Sequence, residues 1–209
     1  MGNLEFIETQ EDYLDAINPN ECNIFLVSSS QNDFLKIITG LSNHLGGSCW
    51  IGLTSTNKVK GCDAHFEMNA INQTCISVNI KPVITKYIKN SKQLLHVLIP
   101  PLPTKIALGN TYFISSNSTF IEANKVVVNS WKLNINENYF FSKLEIEQQE
   151  TILDTFHQNS KFTLSKAYSL FSMSKSDIDK IMTELYRKNQ LSLLIENNTI
   201  YFSSCVNRN

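Results

Sequence analysis

The sequence predicts an α+β fold, a mixed α+β domain followed by a small domain of three helices and a hairpin. Over residues 20–132, short apolar runs bounded by Gly, Pro and Asn alternate with amphipathic stretches. Over 144–205, three capped helical periodicities precede two alternating runs around Glu196-Asn197-Asn198. A chain of 209 residues is long enough to bury a core in each part.

Leu4, Ile7, Leu14 and Ile17 stand at helical spacing with acids between them, and Pro19 ends the run. This predicts an acidic N-terminal helix over 1–19, packed on the first domain. Residues 22–29 read as a short apolar strand. Residues 31–45 read as a helix with Phe34, Ile37, Ile38, Leu41 and Leu45 inward. Gly46-Gly47 stops it, because glycine takes the positive φ favoured at a helix C-terminus. A buried strand follows at 48–54, then a turn at Asn57-Lys58 and a short strand around Val59. Two strands are expected at 74–88 and 93–100, and Pro100, Pro101 and Pro103 close the second. A strand at 111–116 and a helix at 120–132 complete a first domain, 20–132, with a mainly antiparallel sheet. Residues 133–143 read as the linker.

In the C-terminal part, 145–158 is expected to be a helix with Ile146, Ile152, Leu153 and Phe156 inward. Thr163 caps a short second helix. Ser174 or Ser176 caps a third, whose core stripe is Ile178, Ile181, Met182 and Leu185. With the hairpin, this is the order of a winged helix-turn-helix.

Composition narrows the function classes. No apolar run approaches the roughly 20 residues of a membrane span, and the acidic, amphipathic start is not a signal peptide. An intracellular protein of cytoplasm, nucleus or nucleoid is expected, without a membrane partner. Five cysteines, widely spaced and without a CxxC pair, argue against a disulfide framework and a zinc site. No phosphate-loop, dinucleotide, nucleophile-elbow or metalloprotease motif occurs, so no cofactor, no metal and no catalytic residue is assigned. Asparagine is unusually common, which reads as compositional bias rather than chemistry.

Net charge is −1, but its distribution is uneven. Residues 1–35 carry acids and no Lys or Arg, whereas 36–132 carry ten lysines against Asp63, Glu67 and Glu122. Such a block can draw a polyanion onto one face. Lys58, Lys60, Lys81, Lys86, Lys89 and Lys92 are the candidate phosphate contacts of the first domain. In the third helix of the second domain the candidates are Lys175, Ser176, Lys180, Thr183, Arg187 and Lys188. Residues 143–209 balance eight bases with eight acids. That balance leaves protein docking open as a use for this module.

One stretch carries a family resemblance. The helix end Gly40-Leu41-Ser42-Asn43-His44-Leu45-Gly46-Gly47, the strand Cys49-Trp50-Ile51-Gly52-Leu53 and the close Val59-Lys60-Gly61 resemble the Schlafen-type AlbA domain of bacterial regulators. The later strands, through 111–116, resemble that family's in the same order, over roughly 20–120. The resemblance implies an AlbA-like fold and affinity for nucleic acid. Schlafen-type ribonucleases add a metal-binding carboxylate cluster. Here only Glu21 survives of it, with Leu26 and Val27 where Lys and Glu would stand, and Thr54 and Ser55 where acids would. Asp33 or Asp63 substitutes only if the register slips. A hard divalent cation needs several oxygen ligands, so the chain reads as a pseudo-nuclease.

The resulting expectation is a non-catalytic protein that binds DNA or RNA, regulator-like, as a homodimer or with a heteromeric Schlafen-like partner. Two alternatives stay open. One is a degenerate subunit of a Schlafen-like RNA endonuclease complex; the other is an adaptor that docks proteins through its winged helix.

Overall fold

The computed structural model describes residues 5–9, 12–30, 33–116, 119–133, 143–159 and 161–205. The chain is α+β. It divides into two compact units, Met1–Glu122 and Ala123–Asn209.

In the first unit, β1 (Glu5–Glu8), β2 (Asn23–Leu26), β3 (Gly47–Ile51), β4 (Val83–Lys89) and β5 (Lys92–Ile99) form one sheet in the order β1-β4-β5-β3-β2. It is mixed rather than mainly antiparallel. β1 runs parallel to β4 and β2 parallel to β3, whereas β5 is antiparallel to both its neighbours. The β2–β3 pair is parallel because α1 (Phe34–Asn43) crosses between them. Gly46, at φ +78, turns the chain from α1 into β3; a Cβ there would lie 2.7 Å from the Ile99 carbonyl oxygen.

One face of the sheet carries Ile24, Cys49, Ile51, Ile84, Leu95, Val97 and Ile99. They pack with Ile37, Ile38 and Leu41 of α1 and with Ile71 and Cys75 of α2 (Ala64–Ser77). The other face carries Trp50, Tyr87 and Leu94, covered by Tyr13. Beyond α1 lies an antiparallel meander of β6 (Ala107–Leu108), β7 (Thr111–Ser116) and β8 (Thr119–Glu122). Gly40 lets α1 approach it, since a Cβ there would meet the Ser115 side chain at 2.5 Å.

Several expectations are corrected. In place of the helix expected over 1–19, Glu5–Glu8 form β1 and residues 13–16 a turn. The backbone of 5–8 finds partners along the open edge of β4, and Ile7 and Leu14, counted as its buried stripe, stay exposed. Leu45 lies past the end of α1 and is 81% exposed. The strand expected at 74–88 begins only at Val83, because residues 64–77 are helical from the Asp63 cap. Residues 119–122 are strand, so the helix expected at 120–132 starts after the Asn124 cap, as α3 (Lys125–Lys132).

The second unit opens with α3, which the sequence places at the end of the first domain; the division falls after Glu122. The expected linker, 133–143, lies outside the described residues apart from its two ends. α4 (Lys143–Gln158), α5 (Leu164–Leu170), α6 (Lys175–Arg187), β9 (Leu191–Glu196) and β10 (Thr199–Ser204) follow. Thr163 caps α5 and Ser174, not Ser176, caps α6. Ile152, Phe156, Ile178, Ile181, Met182, Leu185 and Phe202 form the core, whereas Ile146, expected inward, is half exposed. Phe162 bridges to Phe202, adding a short third line of backbone to the hairpin. No helix among the described residues is long and apolar enough to cross a membrane.

Candidate functional site

The six candidate lysines of the first unit do not share one surface. Lys60 and Lys92 meet at one end of the sheet. Both backbone N–H groups of Lys60 and Gly61 donate to the Gly52 carbonyl, and Cys62 N–H donates to the Gln93 carbonyl, which lays 60–62 along β5. The stem of Lys92 crosses Gly61, whose missing Cβ would lie 3.0 Å from that of Lys92. Lys60, Gly61, Cys62, Asp63, Ser91, Lys92 and Gln93 line a shallow depression of about 470 Å³. Asp63, the carboxylate there, accepts from Phe66 N–H at 3.1 Å as the cap of α2. Lys58 is exposed on the neighbouring turn, where Leu53 bridges to Val59.

Lys86 and Lys89 are held by the acidic N-terminal segment. Lys86 pairs with Glu8 at 3.0 Å and Lys89 with Asp12 at 2.7 Å. The Lys89 hydrogen bond holds the Asp12 carboxyl below its ordinary pKa, and Asp12 in turn raises that of Lys89. Lys81 lies elsewhere, beside a larger and more apolar pocket of about 580 Å³ at the Gly46-Gly47 junction, with Leu45, Leu98 and Pro101.

The carboxylates weighed as metal ligands each have another role. Glu21 accepts from the Asn18 amide at 2.8 Å, Asp33 pairs with Lys36 at 3.0 Å, and Asp63 is the α2 cap. Glu67, which sequence reasoning passed over, is buried at 4% exposure. It accepts from the Ser28 hydroxyl at 2.6 Å and the Ser29 N–H at 2.8 Å, and also from the Ser29 hydroxyl. A buried carboxylate needs such donors, so Glu67 ties α2 to the turn after β2. Among the described residues, no three His, Cys, Asp or Glu side chains converge as a metal site.

Trp50 is fully buried. Its indole N–H donates to Asn23 at 3.1 Å, and its ring stacks on His96 at 4.2 Å. Trp50 is thus a core residue and offers no surface for base stacking.

In the second unit α6 differs from the expected reading helix. Thr183 is fully buried and its hydroxyl donates to the Asp179 carbonyl at 2.6 Å. It is therefore corrected from contact residue to core. Arg187 and Lys188 both lean on the buried carboxylate of Glu184, at 3.5 and 3.3 Å. Lys175 lies over the Tyr168 ring at 5.5 Å. Lys180 and Ser176 instead face α3, where Lys125, Val128, Asn129 and Lys132 complete a polar groove of about 540 Å³. The α3 lysines were not among the candidates, although their i, i+7 spacing was visible.

No known protein family and no curated protein matches the chain. Among solved structures it is similar to the DIP2311 protein from Corynebacterium diphtheriae, with 12% identity and a TM-score of 0.40. The similarity covers 61% of this chain and 26% of that one, so the chain spans about a quarter of that protein's length.

Proposed function

We propose that the chain is a non-catalytic nucleic-acid-binding protein, akin to a DNA-binding transcriptional regulator, working as a dimer or within a complex. The observation that carries this reading is the meeting of Lys60 and Lys92 across Gly61, with Lys58 on the adjacent turn. The one carboxylate lining that depression is engaged as a helix cap. Ammonium groups carried on sheet turns suit phosphate oxygens, which supply most of the non-specific affinity of such proteins. The resemblance of residues 20–120 to the Schlafen-type AlbA domain supports the same reading, with the nuclease carboxylates replaced.

The test is titration of labelled duplex DNA and single-stranded RNA at several salt concentrations. Binding is expected, with an affinity that falls steeply as salt rises. Reversing charge at Lys58 and Lys60 together should abolish most of it. Absence of binding to either polymer at low salt would refute the proposal.

A further inference from the structure

We infer that the groove between α3 and α6 is a second phosphodiester-binding surface, resting on the nucleic-acid reading above. On α3, Lys125, Val128, Asn129 and Lys132 fall at i, i+3, i+4 and i+7, one continuous stripe. Opposite them on α6 stand Ser176, Asp179 and Lys180, again at helical spacing. The groove therefore carries three ammonium groups and one carboxylate. That carboxylate, Asp179, is 7% exposed and accepts a hydrogen bond from the Tyr168 hydroxyl, and the three ammonium groups outnumber it. Ala123, Val128, Asn129 and Ser176 complete the lining, so most of its side chains are polar, which suits a polar occupant better than an apolar one.

Spacing favours a polymer. Lys125 and Lys132 are seven residues apart, about 10 Å along a helix axis. Two lysines so spaced on one helix can reach different phosphates of one strand, with Lys180 on the facing wall. Elsewhere on α6, Thr183 is buried, Arg187 and Lys188 lean on Glu184, and Lys175 lies over the Tyr168 ring. In this unit phosphate contact thus falls to the α3–α6 wall and not to α6 alone.

The full chain with Lys125→Gln and Lys132→Gln is compared with Lys58→Gln and Lys60→Gln and with the wild type, titrating labelled duplex DNA and single-stranded RNA. The groove variant is expected to bind at least about tenfold more weakly at low salt, with a log–log salt slope shallower by about two. Arginine at both groove positions should restore binding, and an unchanged circular-dichroism melt keeps the loss from being one of folding. Unchanged affinity in the groove variant, with loss in the Lys58/Lys60 pair, overturns the groove and leaves the function standing. No binding by the wild type overturns both. Competition by polyglutamate as effective, per charge, as competition by DNA overturns the phosphodiester assignment in favour of an acidic protein segment.

Discussion

His96 stacks on Trp50 with an interplanar angle of 9° and hydrogen-bonds Ser48 through Nε2 at 2.8 Å. Burial penalises its charged form and takes its pKa from 6.5 down to about 4. Its folded pKa lies below its unfolded one, so the unfolded chain binds more protons between those values. The stabilising neutral state is thus complete above about pH 6.5 and is lost progressively as pH falls toward about 4. The loss amounts to up to about 3 kcal/mol. Urea melts at pH 7.5 and pH 5 should show a smaller pH dependence for His96→Gln than for the wild type. An equal dependence in both would mean that carboxylates alone set the acid limit. A second lesson at this scale concerns asparagine. Asn57, Asn79, Asn90, Asn189, Asn197 and Asn198 all sit at positive φ, where asparagine is the most tolerated residue after glycine. The abundance that reads as bias in the sequence is here also turn chemistry. Asn197 and Asn198, at φ 48 and 57, form the two-residue turn between β9 and β10. Asn198→Gly should raise thermal stability by a few tenths to about 1 kcal/mol, since glycine occupies that region without strain. A lowered melting temperature would show that the Asn198 side chain contributes more than its backbone strain costs.

Elements were legible where local chemistry and burial agreed. The second unit's short helices read correctly because their caps are explicit. Ser174 accepts from Asp177 N–H and Thr163 from Lys166 N–H, each just ahead of an apolar stripe. Ser174→Ala should therefore cost about 1 kcal/mol in chemical denaturation; a cost near zero would mean that water replaces the cap. Gly46 was equally legible, and Gly46→Ala should destabilise by about 2 kcal/mol or more, as both its φ and the close Ile99 carbonyl exclude a Cβ. α2 was missed for a definite reason. Its buried stripe is Ala64, Glu67, Ile71 and Cys75, and a carboxylate in the second place breaks the apolar period. The Ser28-Ser29 turn that satisfies Glu67 lies nearly forty residues away in sequence. The N-terminal segment was misread for the opposite reason. Its spacing suits a helix, but the unpaired edge of β4 offers its backbone a better set of partners. The candidate site was legible in residue type and less so in place. Lysines close together in sequence fall at opposite ends of the sheet, and the α3 pair gains a facing wall only once α3 packs on α6.

A net charge of −1 conceals an acidic start and a lysine-rich block in the sequence. Folding places the acidic start of the chain against part of the basic block, with Glu8 on Lys86 and Asp12 on Lys89. Lys89 is also the cross-strand partner of Lys92, through the turn at Asn90-Ser91. Asp12 therefore neutralises a lysine next to the depression proposed to hold phosphate. Exposed pairs of this kind are weak and screened by salt, so a polyanion arriving at Lys92 and Lys60 can displace Asp12 from Lys89. If the depression holds phosphate as proposed, the acidic segment is an internal competitor that restrains affinity. Asp12→Asn with Glu8→Gln should tighten binding of duplex DNA roughly threefold to tenfold at low salt and steepen the log–log salt slope by about one. The gain should shrink toward nothing as salt approaches about 0.5 M, where the Debye length has fallen to a few ångströms. Affinity unchanged at low salt, with the fold intact by circular dichroism, would show that Lys89 stays out of reach of the phosphates even when released.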